Sequence, residues 1–274
     1  MTRLPARLAL NLVVALGALL MVAPFVWLLS AITLSSAGIR AGGAFLVPGD
    51  QLAHNLSQLF NTTGFGRSLL NSVLISAIFT LLAVAVCSAA GYAFAKFRAW
   101  WLSALFGVVI VTLALPGQVT LVPLFKMMVS LGWLNSYQAL ILPNLALPVG
   151  IFLMRQAILS VPDELLDAGR VDGAGEYRIF AQIVLPVVRP SLAALAIFAF
   201  LTTWNDFVLP LVVLRDPSSY TVPVEIATMQ TVNGTDSISL IMTATAISIL
   251  PVLGLFLLLQ RQFIAGLLGS AVKG

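Results

Sequence analysis

The side chains that could do chemistry in this 274-residue sequence are few. Catalysis at a metal or by an activated thiol needs clustered histidines and cysteines, yet the chain has one histidine, His54, and one cysteine, Cys87. It also lacks the G-x-x-x-x-G-K-[ST] loop that cradles nucleotide phosphates. We therefore predict that the chain is not an enzyme and holds no metal or nucleotide of its own.

Charged side chains are concentrated in one stretch, residues 155–190, of an otherwise apolar sequence. Nine of them fall there: Arg155, Asp163, Glu164, Asp167, Arg170, Asp172, Glu176, Arg178 and Arg189. Such a concentration predicts a solvated segment. Ser160 and Asp163 fit a capping box, and Pro162 between them suits a first helical turn. Together they predict a helix that begins near Val161.

This stretch is predicted to be a helix-turn-helix. The first helix would carry a small apolar face, and the sequence DGAG at 172–175 predicts a bend after it. A second short helix would end at Pro186. The predicted faces are Leu165, Ala168 and Gly169 on the first helix, and Tyr177, Phe180, Ala181 and Val184 on the second. The pattern fits either a hairpin resting on lipid headgroups or a docking element for a soluble partner.

A second polar stretch, Trp204–Phe207, lies inside an apolar run. A carboxylate in a bilayer is costly, so Asp206 is predicted to face a cavity or a neighbouring helix. In one interpretation Asp206 and its neighbours face a polar cavity between the helices. In the other, they fix helix packing through hydrogen bonds.

The composition specifies the elements that must position these residues. With 60% hydrophobic and 9% charged residues and a mean hydropathy of +1.05, the chain is predicted to be an all-α membrane protein. Six apolar runs are long enough to cross a bilayer. The predicted transmembrane helices are 8–33, 70–93, 101–121, 137–154, 192–214 and 238–260, with a loop at 155–190 and a C-terminal tail at 261–274. We predict one transmembrane domain over residues 1–274.

The net charge of +4 is explained by membrane orientation rather than by nucleic-acid binding, because the basic residues are strung between apolar runs. With both termini in the cytoplasm, ten of the 14 Lys and Arg residues lie inside. The four outside would be Arg40, Arg67, Lys126 and Arg215. This bias predicts cytoplasmic termini and a cytoplasmic 155–190 loop.

Residues 161–190 (VPDELLDAGRVDGAGEYRIFAQIVLPVVRP) resemble the EAA loop of ABC importer permeases. Further likeness to the MalG-like permeases of carbohydrate importers is found in NSVLIS at Asn71, PLF at 123–125, WNDF at 204–207, YTVPVEIA at 220–227 and the C-terminal QRQFIAGLLGSAVKG. The resemblance covers nearly the whole chain after the first helix. Gly169 departs from the family, which usually has alanine there.

The resemblance implies a subunit of a bacterial inner-membrane importer that moves a sugar or sugar derivative by alternating access. Its expected partners are an ATPase dimer that uses ATP and Mg²⁺, a second six-helix permease, expected to be a different chain, an extracytoplasmic sugar-binding protein and membrane lipid. The residues implied in docking to the ATPase are Glu164, Ala168, Gly169, Asp172, Gly173 and Ala174, together with Gln260 and Lys273 in the tail. Tyr220, Pro223 and Glu225 would face the binding protein. In such a permease the polar stretch at 204–207 could line the sugar pathway, where Asn205 and Asp206 recognise hydroxyls and Trp204 or Phe207 stacks on a sugar ring.

Two other classes remain at this stage. A secondary transporter driven by an ion gradient would need intramembrane ionisable residues and a repeat. Asp206 is one such residue, but the sequence shows no companion and no repeat. A non-transporting membrane scaffold would leave the EAA-like loop and the tail unexplained. The 155–190 segment discriminates among these classes.

Overall fold

The computed structural model describes residues 3–42, 47–233 and 238–271. Within these ranges the chain is helical and contains no β-strand, which confirms the predicted all-α class. The helices are α1 Arg3–Ala31, α2 Ser36–Arg40, α3 Leu52–Thr62, α4 Phe65–Lys96, α5 Trp100–Thr112, α6 Leu121–Ser130, α7 Gln138–Ile141, α8 Pro148–Leu159, α9 Asp163–Val171, α10 Glu176–Ile179, α11 Leu185–Val187, α12 Arg189–Trp204, α13 Val208–Val213, α14 Val222–Asn233 and α15 Ile238–Ala271.

Three of the predicted spans are continuous helices. Leu10–Ala31, Phe65–Lys96 and Ile238–Gln262 are each long and apolar enough to cross a membrane. The second and third of these helices extend past the predicted spans 70–93 and 238–260, because polar residues at the end of a span do not stop the backbone from remaining helical. In particular, α15 continues through the predicted tail to Ala271.

The other predicted spans are broken rather than straight. Trp100–Thr112 meets Gly117–Ser130 at 102°, and Gln138–Asn144 meets Pro148–Leu159 at 44°. Glu176–Val187 meets Arg189–Trp204 at 85°. Proline lies at or next to each bend, at Pro116, Pro148 and Pro190, where it removes a backbone donor. Counting each bent pair as one span gives six in the described chain.

The chain divides into two compact units. The first comprises Met1–Gly66 and Glu225–Leu250. In this unit the buried Asn55 donates from Nδ2 to the carbonyls of Ile32 at 2.8 Å and Leu34 at 3.0 Å, just past the end of α1. These bonds satisfy carbonyls that the helix leaves without an internal partner.

The second unit comprises Arg67–Val224 and Pro251–Gly274. Its core is built on one face of α4, where Ile75, Phe79, Ala83 and Cys87 recur every four residues and are all buried. They belong to one apolar cluster with side chains of α8 and α12, including Met154, Ile158, Leu195 and Ala199. The continuous helix α4 is thus the central element of this unit.

Asn135 holds together the outer turns of the second unit. Its φ of 57° places it in the left-handed region, which asparagine tolerates better than most residues. The side-chain Oδ1 accepts hydrogen bonds from the backbone N–H groups of Arg215 and Asp216, both at 3.1 Å. Its own N–H donates to the carbonyl of Val213 at 2.9 Å. The turn before α7 is therefore fixed to the end of α13.

Glycine permits the close approach of α4 and α8. A Cβ added at Gly91 would lie 2.7 Å from Met154 Cβ and 2.9 Å from the backbone nitrogen of Arg155. We expect Gly91→Ala to force the two helices apart and to destabilise the protein by about 1–3 kcal/mol. The measurement is the thermal unfolding midpoint of the purified protein in detergent.

Gly107→Ala is the matched control, since no described atom lies within 4 Å of a Cβ at that position in α5. Alanine favours helix by about 1 kcal/mol over glycine, so this variant should be as stable as the parent or slightly more stable. Equal midpoints for Gly91→Ala and Gly107→Ala would contradict the packing argument.

Candidate functional site

The charged 155–190 segment forms the predicted helix-turn-helix, although its start differs from the prediction. The first helix, α9, begins at Asp163, and Pro162 precedes it without a described side-chain cap. The predicted capping box is wrong, because Ser160 Oγ donates to the carbonyl of Ala157 at 2.7 Å, at the end of α8. Asp163 and Glu164 lie in the first turn, where they complement the positive end of the helix dipole.

The predicted bend at DGAG is confirmed, and its geometry is a Schellman turn. Gly173 has a φ of +77°, and its N–H donates to the carbonyl of Arg170 at 3.0 Å. The N–H of Ala174 donates to the carbonyl of Gly169 at 2.9 Å. Glycine is favoured at the left-handed position of this turn because it has no Cβ. We call α9, this turn and α10 the hairpin, residues 163–179.

The predicted apolar face of α9 is correct for Gly169 but wrong for Leu165 and Ala168, which are exposed. Leu166 and Gly169 are buried, whereas Leu165 is 45% exposed. A Cβ at Gly169 would lie 2.7 Å from Ile183 Cδ1 and 3.3 Å from Ile179 Cγ1, so glycine lets the two arms pack closely. Gly169 is therefore an internal packing residue of the segment and does not form part of its exposed surface.

The second arm departs from regular α-helix. Phe180–Val184 forms a π-helical turn between α10 and α11, and the arm runs past the predicted end at Pro186 to Val187. The wider π turn brings Ile179 and Val184 to the buried side together. The predicted face is correct for Val184, but Tyr177 is 84% exposed.

The remaining predicted docking residues form an exposed surface around the turn. Glu164, Ala168, Asp172 and Gly173 are exposed, and Ala174 is half-buried. Small side chains alternate here with carboxylates, so another protein could approach the backbone closely. We call these five residues the hairpin surface.

Ion pairs close the hairpin and attach it to neighbouring helices. Arg170 donates from Nε to Glu176 Oε1 at 2.9 Å, across the turn, and from Nη1 to Asp167 at 2.7 Å. Lys96 of α4 donates to Asp163 Oδ1 at 2.6 Å. The hydrogen bond from Lys96 lowers the pKa of the Asp163 carboxyl below its ordinary value, so this carboxylate stays ionised at neutral pH.

A second contact from α4 reaches the other arm. Tyr92 Oη donates to Glu176 Oε2 at 2.7 Å, and the Tyr92 ring packs on Phe180 with centroids 5.2 Å apart. Sequence reasoning missed Tyr92 and Lys96 as parts of this site. The signal available was their spacing of four residues on one helix, which places both side chains on the same face.

The second predicted site, Trp204–Phe207, lies at a break between helices. α12 ends at Trp204, and α13 begins at Val208. Asp206 Oδ1 accepts from the N–H of Leu209 at 3.5 Å, so the carboxylate serves the start of α13. Trp204 is buried and stacks on Phe200 with centroids 5.4 Å apart, whereas Asn205 and Phe207 are exposed.

Asp206 borders two recesses in the second unit. One is lined by polar side chains and by apolar residues of α4. Its polar lining residues are Asn144, Thr202, Thr203, Asp206 and Thr221. The other recess also includes Asn144 and adds Gln118 and Thr120. Asn144 and these threonines were missed from the sequence, because they converge only through the broken helices.

The segment between the predicted spans 192–214 and 238–260 is largely helical over its described residues, 215–233. Pro217–Ser219 forms one 3₁₀ turn, and α14 follows from Val222. Tyr220 and Pro223 are half-buried. Glu225 is buried, and its Oε1 accepts from the N–H of Gly64 at 3.1 Å within the first unit. The Glu225 carboxylate therefore serves an internal contact.

In the predicted tail, Gln260 is half-buried and donates from Nε2 to the carbonyl of Leu257 at 3.1 Å. Lys273 lies outside the described residues. In the part of the chain that the structure describes, no three His, Cys, Asp or Glu residues form a group that could hold a metal ion.

Comparison with known proteins identifies the family to which this chain is similar. The family described as binding-protein-dependent transport system inner membrane component matches residues 86–268. The arabinooligosaccharides transport system permease protein AraQ of Halalkalibacterium halodurans is 41% identical over 204 residues, which are 74% of this chain and 73% of that protein. The lactose transport system permease protein LacG of Rhizobium radiobacter is 34% identical over 258 residues, 94% of this chain and 93% of that protein.

The fold is also found in a solved structure. A bacterial ABC transporter involved in the import of the acidic polysaccharide alginate has a chain that superposes with a TM-score of 0.82 at 19% identity, covering 93% of this chain and 95% of that one. The relatives are transport permeases, which confirms the predicted class of protein. The chain belongs to the family of binding-protein-dependent transport system inner membrane components and is a multi-pass permease subunit of an ABC importer.

Proposed function

We propose that this chain is one of two six-helix permeases that form the pore of a carbohydrate importer, all 274 residues forming one permease domain. It moves a sugar or sugar derivative inward by alternating access. An ATPase dimer that binds ATP and Mg²⁺ supplies the energy, and an extracytoplasmic sugar-binding protein delivers the substrate. The observation that carries this proposal is the hairpin surface, an exposed face on a rigidly closed helix-turn-helix.

The substrate class rests on the relatives. Their names refer to arabinooligosaccharides, to lactose and, for the permease UgpE of Yersinia pestis, to sn-glycerol-3-phosphate. UgpE is 33% identical over 267 residues, 95% of both chains. Two of the three substrates are sugars and the third is a polyol phosphate, which supports a carbohydrate or a close derivative for this chain.

The hairpin surface suits docking to an ATPase for physical reasons. Arg170 and Glu176 hold the two arms together, and the Schellman turn satisfies the carbonyls at the end of α9. The surface is therefore preorganised, and docking does not have to order it. Glu164 and Asp172 add charge for an electropositive partner cleft, while Ala168, Gly173 and Ala174 allow close approach.

The charge bias supports the orientation of this surface. Ten of 14 basic residues, including four within 155–190, lie on one side if both termini are cytoplasmic. We propose that the hairpin and the end of α15, with Gln260 and Lys273, face the ATPase in the cytoplasm. The 215–222 segment then lies on the opposite side, where Tyr220 and the neighbouring Pro223 meet the binding protein.

The polar recesses at Asp206 are the proposed part of the translocation pathway in this subunit. Asn144, Thr203 and Asp206 offer donors and acceptors of the kind that bind sugar hydroxyls. Asn205 and Phe207 are exposed beside them, and an exposed ring such as Phe207 can stack on a sugar. Trp204 supports this region from the core through its contact with Phe200.

Charge reversal on the hairpin surface tests the docking proposal. We expect Glu164→Lys to leave the chain in the membrane but to abolish co-purification of the ATPase subunit. Glu164 is exposed, and the loss of its interaction with the helix dipole costs only about 0.3–1 kcal/mol, which should not unfold the chain. The measurement is affinity purification of the tagged chain from its native host in mild detergent, with mass spectrometry of the co-purifying proteins.

Asp50→Lys is the matched control, since it reverses an exposed acidic residue in the segment before α3, which is predicted to be external. This variant should retain both the ATPase and the second permease. Undiminished ATPase recovery with Glu164→Lys would contradict docking at the hairpin. Recovery of the parent chain without any ATPase, together with solute uptake driven by an ion gradient alone, would contradict the importer itself.

Two substitutions at Asp206 separate its role in folding from a role in transport. Asparagine caps a helix about as well as aspartate, so Asp206→Asn should be as stable as the parent, while Asp206→Leu should lose about 1 kcal/mol. We expect Asp206→Asn to change the rate of ATP-driven uptake into proteoliposomes. The assay supplies labelled arabinooligosaccharides, lactose and glycerol 3-phosphate in parallel. Unchanged uptake at full stability would assign Asp206 to capping alone.

A further inference from the structure

Helix α4 is attached at both ends to segments that the proposed function assigns to partner proteins. At the hairpin end, Tyr92 donates to Glu176 at 2.7 Å and Lys96 donates to Asp163 at 2.6 Å. The two acceptors are the first residues of α10 and α9, so each arm of the hairpin has its own attachment. Lys96 also donates to the carbonyl of Val161 at 2.7 Å.

The attachments at the hairpin end leave little freedom. Both carboxylate oxygens of Glu176 are used, one by Arg170 of α9 and the other by Tyr92 of α4. The Lys96 side chain is only 7% exposed although Asp163 is at the surface, so one end of this ion pair is fixed by packing. Hydrogen bonds that involve charged groups are stronger and shorter than neutral ones. A displacement of the hairpin must therefore move the end of α4.

The opposite end of α4 holds the segment at residues 215–222 in the same manner. The buried Asn71 donates from Nδ2 to the carbonyls of Ser218 and Tyr220, both at 3.0 Å. The N–H of Val222 donates to Ser72 Oγ at 2.8 Å. These three bonds join one turn of α4 to the segment that precedes α14.

The helix between the two ends is continuous. α4 contains no proline and runs unbroken from Phe65 to Lys96, whereas three other predicted spans are bent. At 1.5 Å per residue, Asn71 and Tyr92 are about 32 Å apart, close to the thickness of the hydrocarbon core. The buried face at Ile75, Phe79, Ala83 and Cys87 ties the helix to the core of its unit.

We propose that α4 is a strut that transmits movement between the hairpin and the 215–222 segment, so that the ATPase and the binding protein act on each other through one helix. Asn71, Ser72, Tyr92 and Lys96 are its positioning residues. The inference rests on the proposed function, which assigns the two partner proteins to the two ends. It goes further in naming the connection between them.

The test uses a reporter at one end and a trigger at the other. Arg215→Cys places an exposed thiol on the 215–222 segment, and Cys87→Ser removes the natural thiol while keeping a donor for the carbonyls of Leu145 and Leu147. The complete assembly is reconstituted and trapped with ATP, Mg²⁺ and vanadate. The measured quantity is the ratio of thiol modification rates, by a sulfonated methanethiosulfonate, with and without the trap.

The matched variants each remove one hydroxyl. Tyr92→Phe removes the donor to Glu176, and Tyr137→Phe is its control, on a tyrosine packed against the same core. Ser72→Ala removes the acceptor for Val222, and Ser76→Ala is its control, one turn along α4, where the hydroxyl has no hydrogen-bond partner among the described residues.

The loss of one net hydrogen bond changes an equilibrium constant by about threefold to tenfold. We therefore expect the ratio of modification rates with and without the trap to lie closer to one, by about that factor, in Tyr92→Phe and in Ser72→Ala than in the parent. Both controls should keep the parent ratio. Ser72→Ala lies far from the hairpin, so its assembly should retain the ATPase even if Tyr92→Phe weakens docking. Lys96→Arg, which keeps a donor, should preserve more of the response than Lys96→Met.

Parent-like ratios in both Tyr92→Phe and Ser72→Ala, with the ATPase still bound, would overturn the strut while leaving the importer intact. A parent assembly that binds and hydrolyses ATP without any change in the reporter would overturn alternating access, and the strut with it. The two failures are therefore distinguishable in one set of samples.

Discussion

The need to satisfy every backbone hydrogen-bonding group in a membrane is the constraint on which the rest of this structure depends. Unpaired N–H and C=O groups are costly where water is absent, so each helix break requires a partner from elsewhere in the chain. The break before α8 exposes the carbonyls of Leu145 and Leu147, and the Cys87 thiol lies 3.7 Å from both. The break before α13 uses the carboxylate of Asp206. The outer turns before α7 use Asn135.

These partners explain why polar residues occur at particular positions of an apolar sequence. Asp206 lies at the break before α13 and also lines both recesses. The break therefore both opens space for polar side chains and leaves backbone groups that need them as partners. A continuous helix would present no free N–H for the carboxylate to accept and no recess beside it. Structural and functional roles of Asp206 are therefore compatible, because a transport pathway through a bundle of helices needs locally irregular backbone.

The parts of the fold that follow from composition could be predicted, and the parts that follow from tertiary contact could not. Apolar runs of about 20 residues located the continuous spans, and glycine in DGAG located the left-handed turn at Gly173. The break near Pro116 was less accessible, because proline is tolerated in many membrane helices and its effect depends on neighbours. The family was predicted by motif resemblance, chiefly in the hairpin.

Side-chain environments were the least predictable feature of the site. Leu165 and Leu166 are adjacent, and only the position of the second arm decides which of them is buried. Glu225 was assigned to an external surface by its sequence context, yet Gly64, 161 residues away, provides an internal partner. Tyr92 and Lys96 were overlooked because their carboxylate partners lie 84 and 67 residues further along the chain. Contacts at such separations leave no local pattern.

The π-helical turn at 180–184 has a consequence for how chains of this architecture can vary in length. A π turn accommodates one more residue than an α turn, so it absorbs a single-residue insertion without rotating the helices that follow. A chain with one residue fewer there would close the turn as α-helix, and α12 would still present Leu195 and Ala199 to the core. This short stretch therefore separates the hairpin from the membrane helices that follow it. Each can change in sequence length without disturbing the register of the other.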